Sequence, residues 1–524
     1  MLEMRIRGTK PLLILVLLYA ASFRLLTLDR PFDYDDEATG GAFYGIMARN
    51  YLRFPWAETH ALPVITVGRL PGVPPVFYAD HPPLVPLLIA AVYKLFDFGD
   101  WQTRLPTSTA TIVAIWVLYL LLKRFGNERI AVVAAALFAA MPMTLYFGGQ
   151  PEVLGMPLVL FALVTVFAYL SFHASPGVRT LVSLMAAFTL AAISDWPAFI
   201  LVPVLLAHFG GTKPRRQWVW IIAFSAYACI VFALLSVYIG WAAHLPWNWI
   251  VPLFQGRAAL GVTAPFTAHE WVRIAWAYNA HHHTILLLAA SSLWLLLSSV
   301  RPGRPQPGTT ATRLLLAWGV LHVIIGRQGV YLHEWWWWPL TPGIACASAL
   351  LVDWMIAATE RRGFRRIGTV TAGIAISLFA VWTAGRVHRE LYPWHQSDPF
   401  TTMDLGRAIQ VAAPGPNDLA MLAWSGNDPE LWFYGDRALR ADIWSIEDFT
   451  SRVNDRWADL VFRELQPWPA PAAGIVFPAF CRSSLPDLYA YLRERYSLTP
   501  LAPDLGERFE VFDLRRPLAR GDAP

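Results

Sequence analysis

Long apolar runs punctuated by short basic loops limit what this sequence can fold into. The first, PLLILVLLYAASFRLLTL, is about as long as a membrane-crossing helix, and similar runs recur to residue 385. Read at about 11–29, 105–122, 130–147, 153–172, 180–194, 196–209, 217–241, 284–300, 313–326, 337–357 and 367–385, they give eleven spans. The composition agrees: 15% of residues are charged, against about 25% in soluble domains. The first run follows MRIRGTK and resembles a signal peptide, but the many runs after it make an uncleaved first helix the expectation.

Two segments leave the count open. PPLVPLLIAAVYKLF at 82–96 is short and rich in proline. The run at 180–209 is too long for one straight helix and carries Asp195-Trp196-Pro197 at its centre. Placing 82–96 in the interface and breaking 180–209 at Asp195 gathers MRIR, KRFGNER, GVR, KPRR, RPGRPQPGTTATR and ERRGFRR on one side of the membrane. The positive-inside rule then puts the N-terminus in the cytoplasm and the C-terminus outside. The net charge of +5, nearly all from arginine, belongs to these loops. Without a zinc-finger, RNA-binding or phosphate-loop signature, no nucleic-acid partner is expected. Cys229, Cys346 and Cys481 form neither a zinc spacing nor an evident disulfide pair.

From about residue 396 the pattern changes. LAMLAW, GIVFP and FEVFDL read as short strands, while Ser445-Ile446-Glu447-Asp448 and Ser484-Leu485-Pro486-Asp487 read as helix starts with capping-box character. The expectation is an all-α polytopic membrane domain over 1–395 and a small extracytoplasmic α/β domain over 396–524.

On this topology the polar clusters collect on the outer face. They are DYDDE (Asp33, Asp35, Asp36, Glu37), His81, Arg104, Glu152, Asp195, the histidines 281–283, Arg327, and His333-Glu334 in RQGVYLHEWWWW. Such groups are costly beside lipid and normally face a cavity. After DYDDE, Phe43, Ile46, Met47, Tyr51 and Leu52 trace an amphipathic helix suited to the interface. A carboxylate at its start could serve as a general base toward an acceptor hydroxyl. Arg104, His81 and Arg327 supply polar or cationic partners for an anion. Adjacent histidines point in different directions on a helix, so His281, His282 and His283 fit interfacial polarity better than a metal site. EWWWWP fits an aromatic belt.

Asp36-Glu37 after the first span, then His-Pro-Pro-Leu, then Trp-x-x-Arg-Leu-Pro opening the next, resembles the GT-C membrane glycosyltransferases. The similarity is to the branch holding the protein O-mannosyltransferases and the aminoarabinose–lipid A transferase. YLHEWWWWPLTPGIA is similar to that branch's later outward loop and helix. The resemblance covers roughly 10–385. It implies inverting transfer from a polyprenyl-phosphate sugar, with Asp36 as base, Glu37 beside it, and His81 and Arg104 toward the donor phosphate. Three positions depart from the pattern. Thr39 stands where the aminoarabinose transferase has a basic residue, and His81 stands where it has lysine; both argue against lipid A as acceptor. Gly155 stands where an acid is expected, and Glu152 lies one turn earlier.

The expected protein is therefore a multi-pass enzyme of the cell (inner) membrane with its site outside. It would take a polyprenyl-phosphate sugar and a lipid, glycan or protein acceptor, among membrane lipid, with no cofactor required. Glu152, Asp195, His333 and Glu334 would line the substrate cavity. A transporter or flippase predicts mid-span polar groups and inverted repeats, which the sequence does not display. A non-catalytic scaffold leaves the convergent polar clusters without a reason.

Overall fold

The structure, a computed structural model, describes residues 9–32, 36–68, 74–151, 155–260, 266–300, 308–391, 401–425, 428–459 and 465–518; within them the side chains of 36–39, 365 and 391 are not described. The chain divides into two compact units. One comprises Met1–Asp29, Ala79–Val85 and Arg104–Tyr392; the other comprises Arg30–Tyr78, Pro86–Thr103 and Pro393–Pro524. The second unit thus joins the C-terminal part of the chain with two earlier stretches, 30–78 and 86–103.

The first unit is helical. Among the described residues, Lys10–Leu28, Asp100–Phe125, Met156–Ala174, Arg215–Ala242, Ala268–Val300, Glu334–Arg361 and Arg366–Glu390 are long and apolar enough to cross a membrane. Val178–Ser194, Trp196–Thr212 and Thr309–Ile325 are shorter apolar helical segments. Glu128–Ala140 and Pro142–Phe147 are split at Met141, whose extended backbone (ψ 133°) is what a following proline imposes. All eleven runs expected as spans thus coincide with helices. Val370, Ile374, Leu378 and Val381 form an exposed apolar stripe at helical spacing along Arg365–Leu391, the face such a helix turns to lipid.

Close packing inside this unit needs glycine. A Cβ on Gly319 would fall 2.6 Å from the Cα of Leu340, and one on Gly343 would fall 2.9 Å from the backbone nitrogen of Leu316. The Thr309–Ile325 and Thr341–Arg361 helices therefore approach backbone to backbone. Arg129 ties two helices together through Asp353 (2.5 Å) and Glu360 (2.8 Å).

Among the described residues, the second unit holds a seven-stranded sheet of β1 (Leu419–Leu422), β2 (Ala438–Arg440), β3 (Trp457–Asp459), β4 (Leu465–Pro467), β5 (Gly474–Pro478), β6 (Tyr496–Thr499) and β7 (Phe509–Pro517). The spatial order is β4-β3-β2-β1-β5-β7-β6, with β2, β1 and β5 parallel and the flanking pairs antiparallel. Helix Thr402–Ala412 packs on β1, β5 and β7 beside helix Pro429–Gly435. On the other face, Leu419, Met421, Ile475 and Phe477 pack with Leu488 and Leu492 of helix Pro486–Arg495 and with Phe449. This alternation gives a three-layer sandwich. Ser445 caps Ile446–Arg452 by accepting from the Asp448 N–H at 3.0 Å, as its sequence implies. Ser484 does not cap: its hydroxyl turns back to the Cys481 carbonyl (3.2 Å), and Pro486 opens the helix without a side-chain cap.

Candidate functional site

Asp36 opens the helix Asp36–Arg53 in the second unit. Its side chain and that of Glu37 are not among those described; Asp33, Asp35 and Glu152 lie outside the described residues. What the structure does show is how this helix is held. Its apolar side buries Phe43, Ile46 and Met47, each contributing about 1.5–3 kcal/mol. At its far end Arg49 donates to the carbonyls of Phe433 (2.9 Å) and Trp432 (3.0 Å) and pairs with Asp436 at 3.0 Å. Arg53 Nη2 reaches both oxygens of Asp436 at 2.7 Å. Asp436 has a positive φ (47°), which ends Pro429–Gly435 and projects the carboxylate toward the two arginines. Burial pushes the Arg49 guanidinium down to about 10, with Asp436 acting against the fall.

The approach to the acidic stretch is fixed as well. The backbone N–H of Phe32 donates to the Tyr434 hydroxyl at 2.6 Å, and that hydroxyl donates to Asp100 Oδ1 at 2.6 Å. The Phe32 ring meets Phe433 edge-on at 5.1 Å. The short helix Pro429–Gly435 and the Asp436 that follows it therefore hold Phe32 before the acidic stretch and Arg49 and Arg53 at the far end of the helix after it.

The first unit brings together His81, Asp195 and a residue the sequence reading missed, Arg257. Asp195 ends Val178–Ser194 and accepts from the Trp196 N–H at 2.7 Å, starting the turn into the next helix. Its Oδ1 also lies 2.8 Å from His81 Nδ1, and His81 Nε2 lies 3.0 Å from Arg257 Nη2. A guanidinium cannot accept. Nε2 must therefore present its lone pair to Arg257, and Nδ1 must carry the proton donated to Asp195. The chain Asp195–His81–Arg257 thus holds a neutral imidazole in one tautomer between a carboxylate and a cation. The Asp80 carbonyl accepts from Trp196 Nε1 (2.9 Å) and Arg257 Nη2 (3.3 Å), and the guanidinium lies 5.4 Å from the Trp336 ring centre. Asp195 is fully buried, and its Oδ2 meets no hydrogen-bond donor among the described residues.

The other predicted residues lie as follows. Arg104 is buried, with Nη1 3.5 Å from the Leu28 carbonyl. Arg327 donates to the carbonyls of Ala258 (2.7 Å) and Ala259 (2.9 Å), directly behind Arg257. His333 stacks on Trp335 at 4.6 Å. Glu334 bonds His282. The three histidines diverge: His281 meets Arg386 and Glu390, His282 meets Glu334, and His283 meets Asn279 and Thr341. They sit in a π-helical turn, Ala280–Thr284. Among the described residues, no group of three or more His, Cys, Asp or Glu could hold a metal ion. The signal for Arg257 was a lone arginine ending FQGR in the aromatic-rich stretch between two spans.

Residues 80–241 match the family described as dolichyl-phosphate-mannose-protein mannosyltransferase, a stretch that contains His81, Arg104 and Asp195. No curated protein sequence matches the chain. Among solved structures it is similar to ArnT from Cupriavidus metallidurans bound to undecaprenyl phosphate: TM-score 0.64, 14% identity, over 96% of this chain and 98% of that one. It is also similar to AglB, the oligosaccharyltransferase from Archaeoglobus fulgidus, in complex with an inhibitory peptide and a dolichol-phosphate: TM-score 0.57, 12% identity, over 100% of this chain and 75% of that one. Its fold, with seven helices among the described residues long and apolar enough to cross a membrane and a C-terminal α/β sheet region, is thus similar to the folds of ArnT and AglB.

Proposed function

We propose that the protein is an integral-membrane glycosyltransferase. It moves a sugar from a polyprenyl-phosphate donor to an acceptor hydroxyl on the outer face of the cell membrane, with inversion. The observation that carries this reading is the Asp195–His81–Arg257 chain. It orients a cation and a fixed imidazole tautomer within an apolar helical unit, an arrangement suited to a phosphate oxygen. The ArnT and AglB structures, which hold undecaprenyl phosphate and dolichol-phosphate, support a lipid phosphate as the ligand.

In this mechanism Asp36 accepts the acceptor's proton as the hydroxyl attacks the anomeric carbon, and Glu37 keeps the local potential negative. The sugar–phosphate bond breaks from the opposite side, and the departing lipid phosphate keeps the electron pair. Arg257 and Arg104 stabilise its developing charge, while Asp195 holds His81 in the tautomer that supports Arg257. Glu152, His333 and Glu334 belong to the substrate cavity in this reading, and Arg327 supports the phosphate side. One displacement is chemically complete without a cofactor, so activity is expected to survive a chelator. The transferred sugar, hexose or pentose, follows from the donor assay.

The test is donor turnover. Purified full-length protein in nanodiscs is offered undecaprenyl-phosphate-linked mannose, glucose, galactosamine, arabinose and aminoarabinose, with membrane lipid extract as acceptor. Loss of one donor with formation of undecaprenyl phosphate and a glycosylated product of inverted configuration supports the proposal. No consumption of any donor, or retention of configuration, contradicts it.

A further inference from the structure

The α/β sheet carries a second cluster, unused by the transfer chemistry. Its three parallel strands, β2, β1 and β5, all end on one edge. The segment after β1 leads into Pro429–Gly435 and back to β2, whereas the segment after β5 leads toward β6 at the other end of the sheet. The carboxyl ends of β1 and β5 therefore flank a topological switch point, the place where open α/β sheets take ligands.

The residues just past these strands are Trp424 after β1, Asp442 and Trp444 after β2, and Phe480 after β5; Asp428 follows four residues beyond Trp424. Trp424 is the hub. Its ring meets Trp444 at 5.7 Å and Phe480 at 4.8 Å, both edge-on, and its carbonyl accepts from the Asp442 N–H at 3.0 Å. Trp444 is 41% exposed and Phe480 36%, although each is large and apolar. Asp428 precedes Pro429 at a helix start yet does not cap it. Neither carboxylate, Asp428 nor Asp442, makes a side-chain hydrogen bond or ion pair among the described residues. Asp442 also has a positive φ (57°), a conformation a side chain adopts at a cost. Burial, then the charge of Asp442, raises the Asp428 carboxyl above the ordinary carboxylate range.

Exposed aromatic faces accept the apolar face of a sugar ring, and uncommitted carboxylates accept hydrogen bonds from hydroxyl or ammonium groups. Aromatic walls with a few convergent polar groups are the usual make-up of a small-ligand site. We infer that Trp424, Trp444 and Phe480, with Asp428 and Asp442, form a saccharide-binding site at the carboxyl edge of the sheet. That its saccharide is part of the acceptor rests on the transferase reading above; that it binds a sugar does not.

The experiment is saturation-transfer NMR on full-length protein in phosphatidylcholine nanodiscs, which avoids glycosidic detergents that would compete. The probes are glucose, mannose, galactose, N-acetylglucosamine and glucosamine, with oligolysine as a separate probe. At least one sugar is expected to show ring-proton saturation, reduced about fivefold by Trp444→Ala or Phe480→Ala, the scale of one lost stacking partner. Asp442→Asn is expected to weaken the same signal with little volume change. Asp36→Asn is expected to leave it intact while stopping donor turnover, so the two readings fail separately. No saturation for any sugar, an unchanged signal in the Trp444→Ala/Phe480→Ala double variant, or binding of oligolysine in place of sugar overturns the site.

Discussion

Arg49 lies 3.0 Å from Asp436, and Arg53 reaches both oxygens of the same carboxylate at 2.7 Å. One aspartate of the α/β unit therefore secures the helix that Asp36 opens. Removing it strands the buried Arg49 charge, a loss on the order of 3 kcal/mol. Asp436→Ala is expected to lower the thermal midpoint of the second unit and to reduce transfer. An unchanged melting profile would remove Asp436 from this role.

Tyr434 acts at the other side of the acidic stretch. Tyr434→Phe keeps the ring but loses the bonds to Phe32 and Asp100. Each is worth on the order of 1 kcal/mol. Turnover is expected to fall severalfold while the KM for donor stays near its wild-type value, because the residue positions the base rather than the phosphate. A rise in KM at constant kcat would contradict that assignment.

Arg327 and Arg257 form a testable hierarchy. The sequence put Arg327 forward as a direct phosphate contact; in the fold its Nε and Nη2 hold the carbonyls of Ala258 and Ala259 behind Arg257. Arg257→Ala is expected to weaken undecaprenyl phosphate competition by about 10–100-fold, the scale of a lost charged hydrogen bond. If Arg327 acts through Arg257, the double variant is no weaker than Arg257→Ala alone. Additive losses would indicate an independent contact.

Asp428 gives a pH signature. Its folded carboxyl lies above the usual value, chiefly through burial. The native state therefore binds protons more tightly than the unfolded chain, and this residue's contribution falls as pH rises between the unfolded and folded values. Asp428→Asn is expected to raise the thermal midpoint at neutral pH, and the gain is expected to vanish below the ordinary carboxylate range. A gain independent of pH would point to packing instead.

The spans were legible because apolar length and basic loops are local signals. The break at Asp195 was legible from a carboxylate beside Pro197 in an overlong run. The second unit's early segments were not: nothing near Arg49 and Arg53 announces Asp436, almost four hundred residues later. The tether between His81 and Asp195 was equally hidden, since each looked plausible alone and only the fold gives them a shared hydrogen bond. Arg257 fell between assigned spans, in a short helix whose eight residues give too little periodicity to read.

The central claim is that Asp36 takes the acceptor's proton. It is tested by single-turnover assay of the Asp36→Asn protein with the donor that the wild type consumes, at saturating donor and acceptor. The account predicts loss of transfer by about a thousandfold or more, a general base's share of the rate, with undecaprenyl phosphate affinity and thermal midpoint unchanged. Wild-type turnover in Asp36→Asn would contradict it.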